Sequence, residues 1–277
     1  MKMAQIQLPS QSSQIITVCR FELLKFLRGK KILANIGIAL AVSLVLVVTP
    51  QLIQIDSQLS VYDYLTFPLG FLPYLLVISA AFFGSNSLLS EFHERTGYAL
   101  FPNPVSKSSI WLGKFFAAEL VSFLIIGVYF GVIITATELK YQTIPEEIFY
   151  SLGFAFVSVT SMMSIAFLVS SIFRGPTGAA VLVFFLFIMI LPIIDQVLIG
   201  FVDTKPWFTP TFSSKIIGTI LVIPYPSDLA PGDLPRGPFD VHRFVPYVSE
   251  SLLVLLGYIL VSSILSIYAF KKREMIS

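Results

Sequence analysis

Hydrophobic positions fall into six long runs, separated by polar stretches rich in proline and glycine. The first covers about 32–54, and its core from Ile32 to Thr49 is uncharged and ends at Pro50. The second covers 67–90, with Pro68 and Pro73 near its start, the third 111–137 and the fourth 148–173. The fifth covers 179–200, interrupted at Pro192, and the sixth 246–270, closed by Lys271-Lys272-Arg273. An α-helix rises about 1.5 Å per residue, so about 20 apolar residues cross the roughly 30 Å core of a bilayer. The pattern therefore predicts an all-α membrane protein, a single domain over 1–277 with six transmembrane helices.

Shorter patterns sit between these runs. From 14 to 31 the period is helical, with Ile16, Cys19, Leu23, Phe26 and Leu27 on one side. Thr17, Glu22, Lys25 and Arg28 fall on the other, and Val18 and Phe21 interrupt the stripe. A basic amphipathic helix beside a span is expected to lie in the interface plane; the plainer alternative is the solvated start of the first span. Within the proline-rich stretch 201–245, Lys215 to Ile223 is too short to span and stops at Pro224. It is expected to be a re-entrant or interfacial helix, capped by Ser213 or Ser214. Gly127 and Gly131 have the spacing that lets a neighbouring helix approach closely. By default that neighbour belongs to the same chain, with a dimer seam as the second reading. The fourth run is dotted with small hydroxyl residues, Ser151, Ser158, Thr160, Ser161 and Ser164 among them, which pack and bond across helices.

Composition agrees with a membrane class. Of 277 residues, 56% are hydrophobic and 12% charged, where soluble domains carry about 25% charged residues. Mean hydropathy is +0.85. The net charge of +2 comes with no basic-aromatic cluster outside the flanks of the runs, so nucleic acid is not an expected partner. Lone Cys19 excludes an internal disulfide framework and a cysteine metal cage. The polar start, followed by a basic helix, does not read as a cleaved signal peptide. Six spans put both termini on one side. That side collects 13 basic residues: Lys2, Arg20, Lys25, Arg28, Lys30, Lys31, Arg95, Lys107, Lys114, Arg174, Lys271, Lys272 and Arg273. The other has 5: Lys140, Lys205, Lys215, Arg236 and Arg243. The positive-inside rule then places both termini, the segment 91–110 and the Arg174 turn in the cytoplasm, with 201–245 as an extracytoplasmic loop. A multi-pass protein of the plasma (inner) membrane is expected.

The sequence has no phosphate-cradling G-x-x-x-x-G-K-[ST], no G-x-G-x-x-G after a strand, no G-x-S-x-G elbow and no H-E-x-x-H pair. No catalysis is expected of this chain. His93 and His242 fall on opposite faces of the membrane in this topology, so they cannot share a metal. Three acids lie within or at the ends of the runs: Glu119, Asp195 and Glu250. Such residues are candidates for a translocation path, a proton relay or polar packing. The plainer reading has Asp195 and Glu250 reaching headgroups or water, and Glu119 pairing with Lys114 or a hydroxyl.

Between the second and third runs stands EFHERTGYALFPNPVSKSSIWLGK, from Glu91 to Lys114. Its charges and prolines exclude it from hydrocarbon. The order is an acidic start, Thr96-Gly97, Leu100, then Pro104-Val105-Ser106-Lys107 and Gly113-Lys114 opening the third run. This arrangement resembles the permeases of ABC transporters of the type-2 (ABC-2) superfamily. The RFELLKFLRGKK stretch resembles that family's amphipathic N-terminal helix, and the six-run layout with a broken outer loop fits too, so the resemblance covers nearly the whole chain. The chain departs from the family's pattern in Thr96-Gly97, where Gly-Thr is more frequent, and in Phe101-Pro102-Asn103. The resemblance implies a permease, an exporter, driven by a separate P-loop ATPase subunit that holds ATP and Mg, with no cofactor in this chain. It also implies a second permease copy, as a homo- or heterodimer. The ATPase-coupling segment would comprise Glu91, Glu94, Arg95, Thr96, Gly97, Leu100, Phe101, Pro104 and Lys107. Two other classes stand beside it: an ion- or proton-driven secondary transporter using Glu119 and Asp195, and a membrane anchor or assembly protein docking a partner at Trp207 and Phe208. No convincing internal repeat between 32–136 and 148–270 supports the first of these.

Overall fold

The computed structural model describes residues 10–52, 60–89, 105–173, 175–228 and 244–272. Among these the structure is helical, with no strand. Six helices are long and apolar enough to cross a membrane. We number the elements α1 (Gln11–Arg28), α2 (Lys30–Leu52), α3 (Val61–Gly84), α4 (Lys107–Tyr141), α5 (Glu147–Ile172), α6 (Pro176–Phe201), α7 (Pro210–Ser214), α8 (Ile216–Thr219) and α9 (Val248–Lys272). The spans are α2 to α6 and α9.

Local chemistry sets the ends. Ser10 caps α1 by accepting from the Ser13 amide, and the chain turns extended at Gly29 before α2 begins. The second span starts at Val61, ahead of the apolar run at 67. Ser60 and Asp63 form a reciprocal capping box there, so residues that look like a polar connection are the helix's first turn. Ser106 caps α4 through the Ser109 amide at 3.1 Å. Two spans contain one π-helical turn each, Ala80–Gly84 and Leu186–Ile190. The second has an evident cause: Pro192 lacks an N–H, and its ring crowds the carbonyl four residues back, at Ile188. Beside the first, the Ser85 hydroxyl donates to the Ala81 carbonyl.

Polar ties and close approaches join the helices. Asn35 of α2 donates to Ser79 of α3 at 3.0 Å, and Tyr129 of α4 donates to the Pro68 carbonyl of α3 at 2.7 Å. At Gly84 an added Cβ would stand 2.7 Å from Ala166 Cβ, so α3 and α5 touch there without room for a side chain. Gly127 and Gly131 behave otherwise. Both are exposed, and a Cβ at either would meet nothing within 4 Å. The expected close neighbour within the same chain is not there among the described residues: α2, α3, α5 and α9 pack on other faces of α4.

The short helices α7 and α8 pack against α3, α5 and α9. The Ser151 hydroxyl of α5 donates to the Ile217 carbonyl at 2.6 Å. Gly218 lies over the second span, where a Cβ would be 3.2 Å from Gly70 Cα and N. The N-cap of this hairpin is Thr209, rather than Ser213 or Ser214. Because the atoms facing Gly218 are backbone, they cannot swing away. Gly218→Val should therefore cost about 1–3 kcal/mol by overpacking, read as a lower melting temperature of the detergent-solubilised protein, whereas Gly127→Ala should leave it unchanged.

Candidate functional site

The first two turns of α4 collect contacts from three directions. Towards α1, Gly113 allows the closest approach in the junction: a Cβ there would be 2.7 Å from Val18 Cβ and 2.8 Å from the Ile15 carbonyl oxygen. One turn away on the same interface, Lys114 Nζ lies 2.9 Å from Glu22 Oε2, with both side chains almost fully buried. The Ser106 amide donates to Gln14 Oε1 at 3.1 Å. Towards α9, Lys107 Nζ donates to the Lys271 carbonyl at 3.0 Å and Trp111 Nε1 to Ser266 Oγ at 2.8 Å. Towards α5, Trp111 and Phe115 stack on each other and meet the Phe167 ring edge-on. Phe26 of α1 also meets Phe83 at the end of the second span, with ring centroids 5.2 Å apart.

This changes the reading of α1. Glu22, assigned to the polar face, is buried, and Ile15, Val18, Glu22 and Phe26 form the side packed on the bundle. Ile16, Phe21, Leu24 and Leu27 are exposed. The apolar positions therefore lie on two sides of the helix, one packed and one exposed, which is why Val18 and Phe21 spoil a single stripe. Lys107 is the one coupling candidate the structure describes. Glu91, Glu94, Arg95, Thr96, Gly97, Leu100, Phe101 and Pro104 lie outside the described residues, as do His93, Arg174 and His242. Lys107 stands at the mouth of that segment, bonded to the end of the last span.

The three acids separate. Glu119 is buried in the α4–α5 seam, two turns beyond Trp111. The aromatic layer of Trp111, Phe115 and Phe167 lies on one side of it, and the Phe123–Phe156 pair on the other. Thr160 Oγ1 is 3.2 Å from Glu119 Oε2, and Oε1 has no hydrogen-bond partner among the described residues. Lys114, offered as its partner, is held by Glu22 instead. Asp195 does not reach out to headgroups. It is 1% exposed and accepts from Thr209 at 2.6 Å and Thr211 at 2.8 Å, pinning α7 to the end of α6.

Glu250 belongs to a third cluster, at the end of the bundle opposite the chain termini. Lys205 Nζ lies 3.1 Å from Glu250 and 3.6 Å from Asp228, and 3.6 Å above the Tyr247 ring. Asp228 accepts from the Val245 amide at 2.6 Å. Tyr225 donates to the Pro246 carbonyl. Burial, with Tyr247, Asp228 and Glu250 nearby, pushes the Tyr225 phenol up to about 12, so it stays a donor at any physiological pH. By sequence, Lys205 counts only in the charge balance and Asp228 not at all; a lone lysine in a proline-rich loop carries no pattern of its own.

A family model described as ABC-2 family transporter protein matches residues 13–275. No curated protein matches the sequence.

The α1–α4 junction can be tested directly. Removing one charge of a buried pair strands the other, at about 3–5 kcal/mol, while replacing both with apolar residues is often neutral or better. Glu22→Leu or Lys114→Leu alone should strongly lower the melting temperature, and the double replacement should recover most of the loss. Additive losses in that double-mutant cycle would mean the pair is not coupled.

Proposed function

The chain belongs to the ABC-2 transporter family, and we propose that it is the permease subunit through which ATP hydrolysis on a separate subunit drives export of a substrate. Six apolar spans make it a multi-pass membrane protein. Members of this family usually work with an ABC ATPase, and their membrane subunits are generally non-catalytic. The single observation that carries the coupling reading is the junction at the start of α4. There the segment 91–110 feeds directly into a helix already fastened to α1 and α9.

In this reading the termini and the segment 91–110 face the cytoplasm, in the plasma membrane. Leu100 and Phe101 seat in a groove of the ATPase, Pro102 and Pro104 stiffen the turn, and Glu91, Glu94 and Arg95 set register at the rim. Lys107 passes the displacement to α4. ATP and Mg reside on the ATPase, with none bound here. The permease works with a second copy, identical or related, so that two ATPase subunits close beneath two permeases. The exposed apolar side of α1 lies along the membrane surface, with Arg20, Lys25 and Arg28 among headgroups.

Two measurements test this. Leu100→Asp with Phe101→Asp should weaken co-purification of the ATPase by at least about tenfold while the permease keeps its melting temperature. In a Cys19→Ser background, a cysteine placed at Ser106 should react with a membrane-impermeant maleimide only after the membrane is opened. Reaction in intact cells would invert the topology and remove the coupling reading. An ion-driven carrier would instead move substrate with no ATPase present.

A further inference from the structure

Near the end of the bundle opposite the termini, α3, α5, α6 and the α7–α8 hairpin enclose a cavity of about 140 Å³. Its apolar wall is built from Val77, Met162 and Phe187, and its polar wall from Tyr74, Asp195, Gln196 and Lys215. A hole of about 150 Å³ holds one benzene, so this one takes a headgroup with a few carbons, not a whole lipid. Tyr74 is 53% exposed and marks the open side.

The polar wall is unequal in what it offers. Asp195 turns its oxygens to the Thr209 and Thr211 hydroxyls. Lys215 has no ion-pair partner within 4.0 Å among the described residues, and its ammonium lies 5.3 Å from the Phe212 ring centroid. Neither the Gln196 amide nor the Tyr74 hydroxyl bonds to another described residue. The charges of Asp195 and Lys215 offset each other across the wall. What faces the cavity is a set of donors (ammonium, amide, phenol), beside a carboxylate already engaged. A cationic group would meet the Lys215 ammonium and a carboxylate whose oxygens already accept two hydroxyls, whereas an oxyanion finds three donor groups, one of them cationic.

We propose that this cavity binds the anionic oxygen group, phosphate or carboxylate, of a small amphiphile. The headgroup lies against Lys215, Gln196 and Tyr74, and the first carbons of the tail lie against Val77, Met162 and Phe187. Asp195 is a positioning residue: through Thr209 and Thr211 it holds the hairpin that carries Lys215. The site does not depend on the coupling reading, because it is complete without nucleotide or ATPase.

The test uses the full chain in phosphatidylcholine nanodiscs without nucleotide, with dioctanoyl phosphatidic acid as probe, followed by native mass spectrometry or fluorescence titration. Lys215→Gln should weaken binding by at least about tenfold, the cost of a charge-assisted hydrogen bond, and Tyr74→Phe by about threefold. Val77→Trp, which fills the cavity, should abolish binding, and Lys140→Gln, which is not part of its lining, should change nothing. Competition by inorganic phosphate would show that the headgroup alone suffices and that a free anion is the natural source. Its failure to compete, with binding otherwise as expected, would point to a membrane lipid held also by its tail. Unchanged affinity in Val77→Trp and Tyr74→Phe, or equal binding of a cationic amphiphile of the same chain length, overturns the proposal, including where Lys215→Gln does not fold.

Discussion

The buried pair between Glu22 and Lys114 is the constraint from which the terminal end of this molecule follows. Two charges withdrawn from water are costly unless they meet each other with good geometry, and here they do so at 2.9 Å. That fixes the rotation of α1 about its own axis. With Glu22 turned inward, Val18 and Phe26 must turn inward too, and Gly113 has to be a glycine because Val18 and the Ile15 carbonyl occupy the space of a side chain. The same rotation leaves Ile16, Phe21, Leu24 and Leu27 on the open side. A helix with apolar residues on two sides and a bundle on only one of them is suited to lie between protein and lipid.

At the far end the same physical device recurs with different groups. Asp195 is buried where α6 follows a π-helical turn and Pro192, and its partners are two threonine hydroxyls on the hairpin. Lys205, Asp228 and Glu250 then tie the stretch after α6 to the start of the last span. Non-helical backbone at membrane depth survives only where protein satisfies its polar groups. The Ser151 hydroxyl satisfies the Ile217 carbonyl of the hairpin, while Gly218 packs closely against the Gly70 backbone. Polar residues inside this chain thus work first as fasteners.

That division explains what could be read from the chain in one dimension. The six spans were legible because hydropathy adds up over some twenty residues and tolerates local error. That Lys215–Ile223 makes no span was legible because nine residues ending at a proline are too few to cross a bilayer; the short helix Ile216–Thr219 lies within that stretch. The rotation of α1 was not, since periodicity ranks Glu22 as solvent-facing and its partner lies 92 positions away. For Asp195 packing was among the readings, but its partners were not legible: its hydroxyl donors lie beyond the end of its own helix, in a loop with no register to the span. The Gly127–Gly131 spacing misled in the other direction, because a motif that permits close packing does not supply a neighbour. The coupling residues themselves rest on resemblance, as all but Lys107 fall outside the described residues.

Length completes the case for α4 as the moving part in the proposed coupling. Its 35 residues extend about 50 Å at 1.5 Å per residue, and no proline or π turn interrupts them. One end carries Lys107, Trp111 and Lys114, with their ties to α9 and α1. The other carries Lys140 over the rings of Tyr64 and Tyr141, with Tyr129 bonded to the Pro68 carbonyl of the second span on the way. A helix of that stiffness cannot absorb a displacement at one end; it must tilt or carry its neighbours. The helices interrupted by π turns and internal proline, α3 and α6, both line the cavity, together with α5 and the hairpin. A push arriving at Ser106 would therefore travel along an unbroken rod and be taken up in the two spans whose hydrogen-bond ladders already permit a change of shape.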